Sequence, residues 1–505
     1  MATPNAAAAA EPASGPVADP KRWLVLAVVC TAYLMVGLDL TVMNLALPSA
    51  QEDLGFTDAD RQWIVTAYAL PFGSLLLFCG RLSDLIGRKE SFLIGVGGFS
   101  AASAVGGAAN SFEMLVTARA FQGAFAAMLA PTVLAVVATQ FIDQKEKNKA
   151  FGIFSAVASS GAALGLIIGG ALTTSLDWRW CMYVNLVFGV TALIGGQLLM
   201  QKQPRPGAKM DVPGVLVASA GMFCVVYGFS NAAENSWSTP STWGVLAAGG
   251  VLLVIFAAWQ TRAANPLLPP RIVLDRNRGA AYLTVLLVGI GMFGVMLFLI
   301  YFMQNNLGYS AITSGSALLP MIVFTTVAAG IGAIRLLPLF GPKPLISTGM
   351  VMSAAGMAWL TRIDADASYV VDLLGPLVVI GAGMGLIYSA SSRTGTSGVA
   401  PQEAGIASAC INTGQQLGGA VGTALLNTIA ATAATGWLDS NVQGKPSPEQ
   451  LGIAAIDGYT TVFWWCTAIF TFGAVIAAVL LRGGPLPVPA EAAAQKPEQA
   501  EAAQS

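Results

Sequence analysis

Gly80-Arg81-Leu82-Ser83-Asp84-Leu85-Ile86-Gly87-Arg88-Lys89 and Ile334-Arg335-Leu336-Leu337-Pro338-Leu339-Phe340-Gly341-Pro342-Lys343 read as two copies of one charged turn. Arg81, Leu82, Gly87 and Lys89 of the first copy meet Arg335, Leu336, Gly341 and Lys343 of the second. Each turn follows the second apolar run of a block of six such runs. The chain therefore reads as six membrane spans, two extra spans and six more. The second copy has Pro338 where the first has Asp84, so the repeat has decayed and the two halves are expected to have different tasks.

Composition agrees with this layout. Of 505 residues, 55% are hydrophobic and only 10% are charged. A soluble domain carries about a quarter charged residues. The apolar runs are near the roughly 20 residues that cross a bilayer core. They fall at about 23–48, 61–82, 91–109, 112–139, 150–174, 179–201, 211–231, 242–261, 279–304, 312–337, 344–361, 369–392, 404–432 and 459–482. The short connections leave no room for a sizeable soluble domain. A water-soluble enzyme and a receptor with a large ectodomain are excluded. Paired six-span repeats are the common build of secondary transporters.

Lys and Arg set the orientation. With the N-terminus inside, twenty of the 25 fall on the cytoplasmic side. Four (Arg61, Arg179, Arg362 and Lys445) fall outside, and Arg119 is within a span. This bias predicts cytoplasmic termini under the positive-inside rule. Residues 1–20 lack the basic start of a cleavable signal, so the first run is expected to be retained as a span. The expected organisation is a disordered tail over 1–21 and a six-helix bundle over 22–201. A linker with the two extra spans covers 202–276, a second bundle 277–482, and a disordered tail 483–505.

The net charge of −1 gives no electrostatic footprint for nucleic acid. Histidine is absent, which removes the commonest metal ligand and proton shuttle. No metal site is expected. Cys30, Cys79, Cys181, Cys224, Cys410 and Cys466 show no CxxC spacing and read as small buried residues. Trp63, Trp178, Trp180 and Trp243 near span ends read as interfacial belt.

A charge inside a membrane span is costly and marks a functional site by default. Asp39 lies roughly 13 Å below the outer end of span 1, and Arg119 roughly 10 Å below the outer end of span 4. If the two spans are neighbours, these residues pair or exchange partners. A fixed structural ion pair is one reading. Proton coupling is the other: burial disfavours the carboxylate and a guanidinium restores it, so a balanced group loads and releases a proton. Asp39 is then the carrier and Arg119 its tuning partner. In span 5, Gly161, Gly165, Gly169 and Gly170 suit either close helix packing or a hinge surface between halves. Asn412, Gln415 and Gln416 in span 13 are amides at depth, expected to face protein or a cavity rather than lipid.

On these residues the chain resembles the fourteen-span drug:proton antiporters of the major facilitator superfamily. Gly80 to Lys89 is similar to the superfamily's loop signature. Leu38-Asp39-Leu40-Thr41-Val42-Met43-Asn44-Leu45-Ala46-Leu47-Pro48 resembles the antiporters' span-1 motif, and Arg119-Ala120-Phe121-Gln122-Gly123 their span-4 motif. Asp177-Trp178-Arg179-Trp180 through Asn185 resembles a further segment. Leu166 departs from the family's span-5 pattern, which has Pro after the second Gly.

The resemblance implies an all-α integral membrane protein of the major facilitator fold, with two six-helix bundles and two extra central helices. It implies a proton-driven exporter of a partly hydrophobic, drug-like small molecule in the cell membrane of a bacterium. Gly80, Asp84, Gly87, Arg88 and Lys89 are then the conformational gate. Asn44, Tyr68, Gln122, Asn412 and Gln415 are the expected substrate contacts. No cofactor is expected beyond the proton gradient. Partners are the substrate, protons and lipid, and the chain is expected to be a monomer. An importer of the same fold, or a membrane sensor, is the alternative. A membrane-embedded enzyme lacks a catalytic constellation.

Overall fold

The computed structural model describes residues 20–56, 58–141, 143–202, 210–235, 237, 239–400 and 403–484. The expected polar tails lie almost wholly outside these residues. Within them the secondary structure is helical, with no strand. A bilayer imposes this, because a spanning backbone without water must satisfy its own hydrogen bonds.

The first half comprises α1 (Arg22–Leu54), α2 (Asp58–Ile86), α3 (Arg88–Gly107), α4 (Phe112–Gln140), α5 (Gln144–Ser175) and α6 (Trp180–Leu199). Next come α7 (Val212–Asn235), α8 (Pro240–Gln260) and the single turn α9 (Pro270–Val273). The second half opens with α10 (Arg276–Asn305). Span 10 is assembled from α11 (Ala311–Ala317), α12 (Leu319–Ile331), a π-helical turn (Gly332–Leu336) and α13 (Leu337–Phe340). It continues with α14 (Pro342–Leu360), a π-helical turn (Tyr369–Leu373) leading into α15 (Leu374–Gly395), α16 (Ala404–Asn441) and α17 (Pro448–Leu480). Among the described residues, eleven helices are long and apolar enough to cross a membrane. With α3, α5 and α14 beside them, the arrangement accommodates the fourteen crossings read from the sequence.

Several helices outrun their expected spans. α1 reaches Leu54, α16 reaches Asn441, and α17 starts at Pro448. Hydropathy marks the bilayer boundary, whereas the helix ends where its caps and glycines fall. Gly55 closes α1 with φ 70°. Ser447 and Gln450 form a reciprocal capping box at the start of α17.

The decayed repeat survives in the backbone. Gly87 and Gly341 both take positive φ, 102° and 76°, at the turn between their paired helices. A side chain there is strained. The proline substitution has a visible cost. Pro338 offers no N–H and crowds the preceding turn, and the helix before it widens into the π-turn Gly332–Leu336.

Two large buried clusters fill the protein, the first extending from the first half into α10 and α16 at Val285 and Ile406. Met35, Phe92, Phe99 and Phe151 are buried in the first, and Phe302, Met350, Phe463 and Phe470 in the second. Helix association in lipid depends on close packing of small residues. A Cβ at Gly123 would stand 2.1 Å from the Tyr68 carbonyl oxygen, so only glycine lets α4 cross α2 there. The extra helix α7 packs against α2 of the first half and α16 of the second. Thr66 and Ser230 hydroxyls meet at 3.2 Å, and the Trp237 indole donates to Thr428 at 2.7 Å. α8 lies outside it, with Val251, Val254 and Ile255 exposed.

Candidate functional site

The expected neighbours meet. Arg119 Nη1 donates to Asp39 Oδ2 at 2.6 Å, with the two side chains 2% and 1% exposed. The second carboxylate oxygen is equally engaged. Asp39 Oδ1 accepts from Asn185 Nδ2 at 2.7 Å and from Gln122 Nε2 at 3.0 Å. Gln122 also accepts from Arg119 Nη1 at 2.9 Å and donates to Ser103 Oγ at 2.7 Å. Arg119 Nε reaches the Ile64 carbonyl at 3.4 Å, and its guanidinium lies 4.5 Å above the Tyr68 ring. Five helices thus contribute to one buried cluster around the carboxylate: α1, α2, α3, α4 and α6.

The local sequence explains the convergence. Arg119 and Gln122 are three apart on α4 and so share a face. Gly161 of α5 packs on Gly37 of α1, and a Cβ at Gly165 would overlap Thr41 Oγ1. The glycine face of α5 therefore lies against the turn of α1 that carries Asp39. Gly169 is part of the same helix and its carbonyl accepts from Thr173 at 2.7 Å; Gly170 is buried beside it. α5 also meets the second half, along α11, α12 and α15, and comes close to it where Gly152 faces Gly330 and Ala333.

Gln122 and Tyr68, expected as substrate contacts, are built into this cluster. Asn412 is buried and donates back to the Ser408 carbonyl at 3.0 Å, while Gln415 is half-buried one turn later. Neither touches the Asp39 cluster. The side chains of Asn44 and Leu166 lie outside the described residues. Asn185 was legible only through its resemblance segment, and Ser103 gave no signal, because neutral polar residues are common in helices.

The charged turn forms a contact between halves at the end that the charge bias assigns to the cytoplasm. Asp84 Oδ1 accepts from the Gly405 backbone N–H at 3.1 Å, at the first turn of α16. A carboxylate at a helix N-terminus meets unpaired N–H groups and the positive end of the macrodipole. A Cβ at Gly80 would stand 2.8 Å from the Gly405 carbonyl oxygen, so the backbones touch directly. Arg88 and Lys89 point back into their own half. Arg88 donates to Thr139 at 2.6 Å, and Lys89 to the Gln197 carbonyl at 2.8 Å.

A second contact at the same end was not foreseen. Arg393 of α15 is 5% exposed, and its Nε donates to Asn148 Oδ1 of α5 at 3.3 Å. Its guanidinium also faces the Phe151 ring at 5.9 Å. Burial and the nearby Arg393 push the Lys147 amine down to about 8. The closed contact therefore favours neutral Lys147, and raising the pH through about 8 is expected to favour closure. Lys147→Met should stay closed more often at pH 7 and lose that pH dependence. Labelling of a cytoplasmic-face cysteine at pH 7 and 9 measures it, and an unchanged pH profile in the variant contradicts it.

At the opposite end a clamp holds the first half together. Arg179 Nη1 binds Asp53 Oδ2 at 2.6 Å and its Nη2 donates to the Ala109 carbonyl at 3.0 Å. The Trp178 indole donates to the same carboxylate oxygen at 3.2 Å. Trp178, expected in the interfacial belt, is buried because Asp53 satisfies its N–H. The Arg179 guanidinium and then the Trp178 indole hold the Asp53 carboxyl below its usual range. Arg179→Ala is expected to cost about 1 kcal/mol or less, since the pair is partly exposed. A small loss of melting temperature with transport retained is the predicted result.

A two-lobed helical membrane protein with a buried acid–arginine pair in one lobe is built as a secondary transporter. The sequence profile of the Major Facilitator Superfamily matches residues 29–423, and the chain belongs to that superfamily. It is a multi-pass protein of the cell membrane and a transporter rather than an enzyme. It is 43% identical to the puromycin resistance protein pur8 of Streptomyces alboniger over 466 residues, 92% of each chain. It is 37% identical to the cephamycin export protein CmcT of Amycolatopsis lactamdurans, covering 81% of this chain and 85% of that one. The multidrug efflux pump LfrA of Mycolicibacterium smegmatis is 32% identical over 86% of each. The solved structure of the human organic anion transporter MFSD10 (TETRAN) has the same fold. Its TM-score is 0.65 at 14% identity, covering 91% of this chain and all of that one.

Proposed function

We propose that this protein exports a partly hydrophobic, antibiotic-like small molecule in exchange for protons, with Asp39 as the proton carrier. The Asp39–Arg119 pair, buried and 2.6 Å apart, carries the reading. A structural anchor does not need a carboxylate whose two oxygens are held by three separate polar side chains from two other helices. That arrangement supports two states of the acid: an anion held by Arg119, and a neutral acid with Gln122 and Asn185 as its remaining partners. The relatives named for resistance and export support the outward direction.

Protonation of Asp39 releases Arg119 from its only carboxylate among the described residues. The guanidinium then rests on Gln122, the Ile64 carbonyl and the Tyr68 ring. Asp84 with Gly405, and Arg393 with Asn148, close the cytoplasmic side, and rocking of the halves breaks both contacts together. Gly80, Gly87, Arg88 and Lys89 shape and anchor the turn that bears Asp84. Substrate leaves on the outward half of this cycle and a proton enters on the return half.

Bacterial cells expressing the protein are expected to accumulate less puromycin than control cells, and a protonophore should remove the difference. Greater accumulation in expressing cells would favour import and contradict the proposal.

A further inference from the structure

α1 and α5 touch where Gly37 meets Gly161; a Cβ on Gly37 would stand 3.5 Å from the Gly161 Cα. On the cytoplasmic side of that contact a groove of about 420 Å³ runs between the two helices. Leu26 and Cys30, both buried, form its floor, and Ala27, Ile153 and Val157 its walls. The Tyr33 and Phe154 rings, with centroids 4.9 Å apart, fill the space between the helices on the inner side. α5 meets the second half through Asn148 and Gly152, whereas Ile153, Leu164 and Ile167 lie on another face and are exposed. Exposed apolar side chains on a spanning helix face lipid tails, which are as apolar as they are. The groove therefore opens to the bilayer.

Its interior suits a hydrocarbon chain. Thr31 is the one hydroxyl in its lining, and that hydroxyl donates back to the Ala27 carbonyl at 2.9 Å. The lining extends from Trp23 to Leu34, roughly 16 Å along α1. That is about half of the roughly 30 Å hydrocarbon core, the depth of one leaflet. The mouth, in contrast, is positive. Lys149 Nζ lies 5.2 Å from the centre of the Trp23 ring, and Lys145 and Lys149 are exposed. Lys21, Arg22, Lys145, Lys147 and Lys149 stand there against two acids, Asp143 and Glu146. Both acids are engaged. Arg22 holds Glu146 through Nε and Nη2, each at 2.8 Å, and Asp143 accepts from the Glu146 backbone N–H at 2.9 Å.

We propose that this groove binds one anionic phospholipid of the cytoplasmic leaflet. An acyl chain lies along Ala27, Thr31 and Ile153 as far as the Gly37–Gly161 contact, and the phosphate rests at Lys145 and Lys149. The two parts of the site have different tasks. Moving a chain from the bilayer into the groove exchanges one apolar surrounding for another, so the groove supplies fit and register rather than selectivity. Selectivity comes from the lysines, because basic side chains at the cytoplasmic surface attract anionic head groups. The site is independent of the export reading and shares no residue with the acid–arginine cluster.

Phosphatidylglycerol and phosphatidylcholine with identical chains are the probes. Each is titrated into the delipidated full chain in detergent, and native mass spectrometry counts the first lipid bound. Wild type is expected to take up phosphatidylglycerol in preference. Lys149→Gln should lower that preference about 5-fold, the effect of one lysine near an anionic surface, and Lys149→Arg should keep it. Ala27→Trp fills the groove from an exposed position and should remove the first bound lipid. Val254→Trp, on the exposed side of α8, is expected to change nothing and guards against a general effect of an added ring. Glycerol phosphate, the head group without a chain, should not compete. Equal uptake of the two lipids by wild type overturns the proposal. So does uptake that Ala27→Trp leaves intact, or a preference that Lys149→Gln does not lower. Displacement by glycerol phosphate would make the lysines a phosphate site without the groove, and would overturn it as well.

Discussion

Asp39→Asn is expected to reduce proton-driven transport to the level of empty vesicles. The amide keeps the shape of the side chain and cannot exchange a proton near neutral pH. It also leaves Arg119 as a buried cation with no carboxylate among its described partners. Breaking a buried ion pair from one side costs about 3–5 kcal/mol, so the variant should also melt at lower temperature. The double variant Asp39→Asn/Arg119→Gln removes the stranded charge. It is expected to recover much of the thermal stability and none of the coupling. Scanning fluorimetry and vesicle transport on the same preparations separate the two effects. A double variant that pumps would make the pair structural and move the coupling group elsewhere.

Gly405→Val is expected to abolish transport by a different route. A Cβ at Gly405 would stand 2.5 Å from the Gly80 carbonyl oxygen and 2.7 Å from Asp84 Oδ1. Ordinary contact begins near 3.4 Å. Both neighbours belong to the last turns of α2, one of them through rigid helix backbone, so the contact cannot yield locally. The halves are then held apart at the cytoplasmic end and Asp84 loses the N–H of α16. The protein should fold, bind substrate from the cytoplasmic side and fail to return. A cysteine placed at that face should label faster than in wild type. Wild-type transport by Gly405→Val would remove the Asp84 contact from the cycle.

The fold was largely legible because a bilayer simplifies the code. Runs of apolar residues, the lopsided distribution of Lys and Arg and the two charged turns report on topology directly. Asp39 and Arg119 stood out because deep charges are scarce in spans. Their company did not stand out. Asn185 and Ser103 are ordinary residues on other helices, and only the crossing of α3 and α6 brings Asn185 to the carboxylate and Ser103 to its partners Gln122 and Asn185. The partner of Asp84 is a backbone N–H, which every residue but proline offers. Arg393 looked like one more positive charge at a cytoplasmic edge, and its burial comes from α5 of the other half. Trp178 was misplaced because a tryptophan near a span end has two homes, and the acid that decides between them lies on α1.

Exchange of a proton on Asp39 for substrate is measurable in sealed vesicles. Wild type and Asp39→Asn are reconstituted side by side with an acidic lumen, and ethidium and puromycin are supplied outside. In an antiporter, protons leaving the lumen drive the compound inward whichever way the molecules face. Wild type is expected to accumulate the compounds against the gradient and to lose this on adding a protonophore, and the variant is expected to accumulate none. Equal accumulation by both proteins, or expulsion of preloaded compound along with the protons, would contradict that exchange.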